Sequence, residues 1–211
     1  MEKIDIYIIN LIKRKDKLDY ILDNFKDIKT INFIIFEAIE NNIGWIGCLE
    51  SHLSLVKYAY DNNLPYIIVM EDDFNLKINF TEFENLLNEL IKFNDIDIFN
   101  GCPSYTNNFK KYKYNNNFNL VTGILSTAFI IYYKNSFNKL LNYNKIFNSD
   151  IQYPIDVINY NLFKQLIFCK QVGSQQLFYS DVSKCTIDHS CHYSFIYDIL
   201  EIISFENTFS E

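Results

Sequence analysis

Apolar and polar residues alternate along the first hundred positions in a way that predicts strands and helices in turn. Short runs rich in β-branched and aromatic residues predict buried strands over residues 4–11, 31–39, 66–70 and 96–101. Between these runs, apolar residues at helical spacing predict helices over residues 13–28, 48–63 and 80–94. Such alternation is typical of α/β proteins, in which helices flank a mostly parallel sheet.

The pattern weakens after residue 101, where the predicted elements are less regular. Residues 102–119 are polar, aromatic and aperiodic, which predicts a loop or an irregular hairpin. An amphipathic helix over residues 193–205 is a candidate cap or homodimer contact. No linker or internal repeat interrupts the chain, so we predict a single domain over residues 1–211. The other predicted elements are a strand over 125–134, helices over 136–147 and 153–166, and two strands joined by a turn over 167–184.

Charge and hydropathy exclude two broad classes of protein. A net charge of −7 and a pI near 5.0 lack the surplus of Lys and Arg that non-specific nucleic-acid binding requires. No apolar run approaches the roughly 20 residues that span a bilayer, and the first residues lack the features of a signal peptide. We therefore expect a cytoplasmic protein without a membrane span. The frequent Asn, Ile, Lys, Phe and Tyr residues all have AT-rich codons, which fits a viral, protist or bacterial genome.

The five cysteines show no C-x-x-C pair, and their number is odd. We interpret them as free thiols in a reducing compartment. A zinc site formed by Cys185, His189, Cys191 and His192 is an alternative, but its C-x3-H-x-C-H spacing matches no common structural zinc pattern.

Three consecutive carboxylates, Glu71, Asp72 and Asp73, follow the predicted strand over residues 66–70. Ligands of open parallel sheets gather beyond the carboxyl ends of the strands. Hard cations such as Mg²⁺ and Mn²⁺ bind carboxylate oxygens together with substrate phosphates. Because side chains of a strand alternate, we expect Glu71 and Asp73 to point to one side and Asp72 to the other. The alternative is a solvated acidic turn without a ligand.

The carboxylates belong to a series of motifs that resembles glycosyltransferase family 25. In chain order these motifs are INL-x-x-R, A-I-E, G-x-I-G-C-x-x-S-H-L-S-L and a strand ending in E-D-D-F. The later segments DIDIFNG, GILSTAFII, YPIDVIN and FYSDVSK also match, so the resemblance covers nearly the whole chain. The family includes bacterial lipooligosaccharide galactosyltransferases and the collagen hydroxylysine glycosyltransferase domains of animals and giant viruses.

The resemblance implies a GT-A-like fold, a UDP-hexose donor and a divalent cation, Mn²⁺ or Mg²⁺. Glu71 and Asp73 occupy the acid-x-acid positions that hold the metal, and Asp72 would contact the ribose or the sugar. The nucleotide-sugar-binding half would comprise about residues 1–100, and the acceptor half about residues 101–190. The predicted nucleotide- and donor-binding residues are Asn10, Leu11, Arg14, Trp45, Ser51, His52 and Asp72.

The acceptor hydroxyl needs a general base if the reaction inverts the anomeric carbon. Asp156, in the matched YPIDVIN segment, is the leading candidate, and Asp150 and Asp181 are alternatives. Many enzymes of this fold complete the metal site with a C-terminal histidine, and His189 and His192 are the residues available for that role.

We therefore predict transfer of glucose or galactose from a UDP-sugar to an acceptor hydroxyl. The acceptor would be hydroxylysine or galactosylhydroxylysine of a collagen-like protein, or a glycan terminus as in lipopolysaccharide biosynthesis. Two alternatives stay open: a non-catalytic binding or assembly protein that keeps the fold, and a metal-dependent phosphohydrolase that uses the same carboxylates.

Overall fold

A central sheet of eight strands runs through the part of the chain that the computed structural model describes, residues 3–180 and 185–186. In chain order the elements are β1 (Ile4–Asn10), α1 (Lys15–Asn24), β2 (Ile31–Glu37), α2 (Gly44–Asp61), β3 (Tyr66–Glu71), β4 (Phe74–Leu76), α3 (Phe80–Leu90), β5 (Ile98–Asn100), β6 (Ser104–Lys113), β7 (Phe118–Leu125), β8 (Phe129–Tyr133), α4 (Lys134–Leu141), α5 (Tyr143–Phe147), α6 (Ile155–Leu162), β9 (Gln165–Phe168), β10 (Gly173–Gln175), β11 (Tyr179–Ser180) and β12 (Cys185–Thr186). The strand order of the central sheet is β2-β1-β3-β8-β5-β9-β7-β6.

The sheet combines a parallel part with an antiparallel part. Strand β1 pairs in parallel with β2 and β3, and β5 pairs in parallel with β9. The pairings of β8 with β3 and β5, and of β7 with β6 and β9, are antiparallel. The predicted α/β class with a central sheet flanked by helices is confirmed, and β1, β2 and β3, from the first third of the chain, form its parallel part.

Side-chain alternation along the strands builds a core on each face of the sheet. Ile68 and Met70 of β3 pack with residues of α1 and α3, whereas Ile67 and Val69 pack with residues of α2, α4 and α6. All four side chains are essentially inaccessible to solvent. Burial of each contributes about 1.5–3 kcal/mol, which explains why β3 is uniformly apolar rather than alternating.

The carboxyl ends of β1 and β3 lie side by side at one edge of the sheet. In the parallel register Ile9 stands opposite Glu71, and β1 ends one residue later at Asn10. Strand β8 is antiparallel to β3, so residues that precede β8, such as Thr127, lie at the same edge. This arrangement places polar residues from distant parts of the chain around one opening.

Helix α2 begins at Gly44, four residues before the predicted start at residue 48. The prediction missed its first turn because that turn contains Gly44 and Gly47. Glycine weakens the helical pattern in a sequence. A Cβ atom on Gly47 would lie 2.3 Å from the carbonyl oxygen of Ile39, so this position requires glycine for close packing.

In the second half of the chain, the predicted hairpin is present and one predicted helix is divided in two. Residues 102–119 form most of an antiparallel hairpin, β6 with β7, which confirms the irregular-hairpin alternative. The helix predicted over residues 136–147 is divided into α4 and α5 at Asn142.

Several predicted features lie outside the described residues, namely Asp181, His189, Cys191, His192 and the helix over residues 193–205. Among the described residues, no helix is both long and apolar enough to cross a bilayer.

Candidate active site

A cavity of about 880 Å³ opens at the sheet edge where β1 and β3 end. Its volume lies within the usual range of small-molecule sites. Segments from both halves of the chain line it, including α1, α2, the turn after β3, the segment before β8 and the start of α6. Its polar lining includes Lys13, Lys17, Glu40, Ser51, Glu71, Asp72, Asp73, Thr127, Asp156 and Gln175.

Glu71, the last residue of β3, is held at one of its two carboxylate oxygens. The Thr127 hydroxyl donates a 2.7 Å hydrogen bond to Glu71 Oε1, and His52 Nε2 lies 3.4 Å from the same oxygen. Burial opposes ionisation of this carboxyl, but His52 and the Thr127 hydroxyl outweigh it and lower the pKa of Glu71. Glu71 is therefore ionised at neutral pH with its position restrained.

Asp72 is held by two donors that come from the first seventeen residues. Asn10 Nδ2 donates to Asp72 Oδ2 at 2.8 Å, and Lys17 Nζ lies 3.1 Å from Oδ1. Burial raises the pKa of Asp72, and the charge and hydrogen bond of Lys17 offset only part of that increase. Asn10 thus acts on the site through Asp72.

Asp73 has the weakest polar contacts of the three carboxylates. Lys17 Nζ lies 3.5 Å from its Oδ2, and Gln175 Nε2 lies 3.5 Å from its Oδ1. Burial, followed by the negative charge of Glu71, raises the pKa of Asp73 to about 7. The side chain is only 16% exposed, so solvent does little to relieve this repulsion.

The strict alternation expected for the three acids does not extend through Asp73. Strand β3 ends at Glu71, and Asp72 and Asp73 form the turn that leads into β4. The Gln176 amide donates to the Asp73 carbonyl oxygen at 2.6 Å, which fixes this turn. As a result, Asp72 and Asp73 share Lys17, whereas Glu71 contacts His52 and Thr127.

Lys17 is the main cationic partner of the carboxylates, and sequence reasoning did not select it. Its side chain is 7% exposed and contacts both Asp72 and Asp73. Burial disfavours the ammonium, but the charges of Asp73 and Asp72 outweigh this effect and raise the pKa of Lys17. The available signal was a lysine that occupies an otherwise apolar side of α1, with Ile21 as the next buried residue on that helix.

His52 lies behind Glu71 in a buried row of polar groups. Its Nδ1 is 3.0 Å from the Tyr132 hydroxyl, which also accepts a 3.3 Å hydrogen bond from Asn159 Nδ2. His52 and Tyr132 are fully buried, and Asn159 is 1% exposed. His52 does not line the cavity itself, so its contact with the site passes through Glu71.

Asp156 also lines the cavity, in the first turn of α6. Its Oδ1 accepts a 2.9 Å hydrogen bond from the Val157 amide, and the Ser126 amide also donates to its carboxylate. Burial raises the pKa of Asp156, and the charge of Glu71 adds to the increase. Ser126 has a φ of 81°, a left-handed conformation that is unfavourable for a residue with a Cβ atom.

The other predicted site residues occupy different environments. Leu11, Trp45 and Ser51 line the cavity. The Ser51 hydroxyl donates to the Gly47 carbonyl oxygen at 2.7 Å and accepts from the Ile39 amide at 2.9 Å, so it also joins α2 to the preceding loop.

Arg14 and Asp150 lie away from the cavity lining. The guanidinium of Arg14 pairs with Asp16 at 2.8 Å and donates to the Tyr179 carbonyl oxygen at 2.9 Å. Asp150 is exposed in the segment between α5 and α6.

Cys48, His52 and Glu71 bring a thiol, an imidazole and a carboxylate within 4.8 Å of one another. Three such groups are chemically able to hold a metal ion. Burial and then the charge of Glu71 raise the pKa of the Cys48 thiol well above its usual value, which opposes formation of the thiolate.

Several solved structures resemble this chain at low sequence identity. A mannose-1-phosphate geranyltransferase from Thermus thermophilus is 6% identical, with a TM-score of 0.48, and the alignment covers 83% of this chain and 75% of that one. A glycosyltransferase involved in glycosylation of the major capsid of PBCV-1 is 12% identical, with a TM-score of 0.46, over 78% and 81% of the two chains. The glycosyltransferase GlyE of Streptococcus pneumoniae is 8% identical, with a TM-score of 0.44, over 99% of this chain and 51% of that one.

Comparison at the level of sequence is more specific. No curated protein matches the chain. A family model described as glycosyltransferase family 25 (LPS biosynthesis protein) matches residues 43–159. The matched region is more than half of the chain and contains α2, the three carboxylates, Thr127 and Asp156. The chain therefore belongs to glycosyltransferase family 25.

Proposed function

We propose that this glycosyltransferase transfers glucose or galactose from a UDP-sugar to an acceptor hydroxyl, with Mn²⁺ or Mg²⁺ bound at Asp73 and Glu71. The observation that carries the proposal is that Asp73 lies in the cavity as a buried carboxylate with few close polar contacts. This carboxylate lines the cavity, has a pKa raised to about 7 and receives only long contacts from Lys17 and Gln175.

The donor set fits a hard divalent cation. The described acidic residues of the cavity lining are Glu40, Glu71, Asp72, Asp73 and Asp156. Glu40 pairs with Lys13, and Lys17 contacts Asp72 and Asp73. Carboxylate oxygens are the ligands that Mn²⁺ and Mg²⁺ prefer. A divalent ion would offset both the burial and the repulsion from Glu71 that raise the pKa of Asp73. When bound, such an ion stabilises the charge of a departing diphosphate.

Other residues are proposed to bind the donor around this ion. Asp72 is held in place by Asn10 and Lys17 and would contact the ribose or the sugar. Trp45 and Leu11, which line the cavity, would provide apolar contacts for the uracil or the sugar face. Arg14 remains a proposed nucleotide-binding residue, although it lies outside the cavity lining. His189 and His192 remain proposed metal ligands outside the described residues.

Asp156 is proposed as the general base for an inverting transfer. It lines the same cavity as the acidic turn, so an acceptor hydroxyl that enters the cavity could reach it. Its raised pKa makes the carboxylate a stronger base than an ordinary aspartate. The acceptor would be hydroxylysine or galactosylhydroxylysine in a collagen-like protein, or the terminus of a glycan.

A panel of donors and acceptors tests this function. The protein is incubated with Mn²⁺ and either UDP-glucose or UDP-galactose, together with hydroxylysine peptides, their galactosylated forms or oligosaccharides. We expect acceptor-dependent UDP release with one donor. Absence of release with every pair would favour a binding or assembly role, and release of phosphate from simple phosphoesters would favour the phosphohydrolase alternative.

A further inference from the structure

The imidazole of His52 has one nitrogen with a hydrogen bond and one without. Nδ1 lies 3.0 Å from the Tyr132 hydroxyl. Nε2 is buried and makes no aligned hydrogen bond among the described residues, yet it lies 3.4 Å from Glu71 Oε1. A buried ring nitrogen without a partner is costly, so the position of Nε2 against a carboxylate requires an explanation.

With the Asn159 amide in its present orientation, the neighbouring hydrogen bonds favour one tautomer of His52. Asn159 Nδ2 donates to the Tyr132 oxygen at 3.3 Å, and His52 Nδ1, at 3.0 Å, is the acceptor that the buried Tyr132 hydroxyl proton can reach among the described residues. A neutral imidazole has one donor and one acceptor nitrogen, so Nδ1 as acceptor places the proton on Nε2. That proton faces the Glu71 carboxylate.

The Nε2–H group and the Thr127 hydroxyl act on the same oxygen of Glu71. Oε1 accepts the 2.7 Å bond from Thr127 and lies 3.4 Å from Nε2, whereas Oε2 has no hydrogen bond from the described residues. The protein donors therefore gather on one oxygen and leave the other for a ligand in the cavity. Groups that orient a metal-binding carboxylate in this way commonly change metal affinity by about 10- to 100-fold when they are removed.

We infer that His52 is a positioning residue for Glu71, with its Nε2–H tautomer set by Tyr132 and Asn159. The inference rests on the proposed function, because it assigns a purpose to Glu71 as a cation ligand. His52 does not touch the substrate in this account. It orients the carboxylate so that Oε2 faces the cavity.

The same residues favour this role over a metal site formed by Cys48, His52 and Glu71. Metal binding through Nε2 requires a lone pair on that nitrogen and the proton on Nδ1. The hydrogen bond from Asn159 to Tyr132 favours the opposite tautomer.

Two substitutions of His52 separate positioning from packing. His52→Gln places an amide N–H near the former Nε2, whereas His52→Asn retains only a group near Nδ1. Tyr132→Phe removes the group that sets the tautomer. Tyr133→Phe is the matched control, because the neighbouring Tyr133 is equally buried in β8 but its hydroxyl donates to the Leu90 carbonyl oxygen at 3.0 Å, away from the cavity.

The readout is Mn²⁺ affinity in the presence of UDP, measured by calorimetry, with the melting temperature of each variant as a folding check. We expect His52→Asn to bind Mn²⁺ about 10- to 100-fold more weakly than wild type. His52→Gln should recover most of the affinity, Tyr132→Phe should be intermediate, and Tyr133→Phe should match wild type. Equal affinity of folded His52→Asn and wild type would overturn the inference. A wild-type protein that binds neither Mn²⁺ nor UDP would instead contradict the proposed function.

A second measurement covers variants that do not fold. The ¹⁵N shifts of the imidazole in the wild-type protein distinguish the two tautomers without added metal, and His52 is one of three histidines in the chain. A proton on Nε2 supports the inference, and a proton on Nδ1 overturns it.

Discussion

The hydroxyl of Thr127 donates a 2.7 Å hydrogen bond to Oε1 of Glu71, although the two residues are 56 positions apart in the chain. The antiparallel pairing of β8 with β3 brings them together. Thr127→Val should therefore destabilise the fold by about 1.5–3 kcal/mol, the usual contribution of a hydrogen bond to a charged group. Thr127→Ser, which keeps the hydroxyl, should cost clearly less. Urea denaturation measures both, and equal losses would show that packing of the methyl group is the dominant effect.

Lys17 bridges Asp72 and Asp73 from a nearly inaccessible position. Replacement by Met removes the charge and preserves most of the side-chain volume. We expect Lys17→Met to destabilise the metal-free protein by about 3–5 kcal/mol, since it leaves buried carboxylates uncompensated. Added Mn²⁺ should raise the melting temperature of this variant more than that of wild type.

Lys26→Met is the control for this substitution. Lys26 forms an ion pair with Asp23 at 2.9 Å, but both side chains are exposed. We expect no measurable change in stability. A similar loss in both variants would contradict the assigned role of Lys17.

Asp156 links stability and activity to pH in opposite directions. Burial raises its pKa above the ordinary value of 3.8, so folding favours the protonated form. Its contribution to stability is thus present below the ordinary pKa and is lost as pH rises through the folded pKa. Asp156→Asn should retain or gain stability at neutral pH.

The activity prediction for Asp156 follows from its proposed role as base. The rate of transfer should increase as pH rises through the folded pKa, and Asp156→Asn should lose about 10²- to 10⁴-fold in kcat. A stable variant that keeps wild-type activity would assign the base to another residue.

Ser126 adopts a left-handed conformation where its amide meets Asp156. A non-glycine residue in this region costs about 1–2 kcal/mol, and glycine loses about 0.5–1 kcal/mol of chain entropy on folding. Ser126→Gly should therefore stabilise the protein, by at most about 1.5 kcal/mol. Ser126→Ala keeps the Cβ atom and should give no gain. Thermal denaturation of the two variants measures the difference. A loss of stability in the glycine variant would show that the serine side chain compensates the strain.

Local patterns in the sequence predicted much of the fold. The apolar run before Glu71 marks β3, and regular apolar spacing marks α1, α2 and α3, because burial of one face selects both. The acidic turn was also visible, since three like charges after a buried strand are unusual. The break at Asn142 between α4 and α5 was not, because apolar spacing continues across it.

The partners of the carboxylates could not be predicted in the same way. Lys17 is 55 positions from Asp72, and Tyr132 is 80 positions from His52. Such pairs depend on strand order and on the rotation of a helix about its axis, which hydrophobic periodicity does not specify. Asn10 and His52 are examples, because each contacts a carboxylate and neither lines the cavity.

The most direct test of the central claim is the metal dependence of UDP release from the UDP-sugar donor by wild type and Asp73→Asn. Asp97→Asn is the control, since Asp97 pairs with Lys139 at 2.9 Å away from the cavity. We predict that EDTA abolishes release by wild type, that Mn²⁺ restores it, and that Asp73→Asn stays at least about 100-fold slower at saturating Mn²⁺. Release by Asp73→Asn at the wild-type rate, or wild-type release that is unaffected by EDTA, would contradict the account.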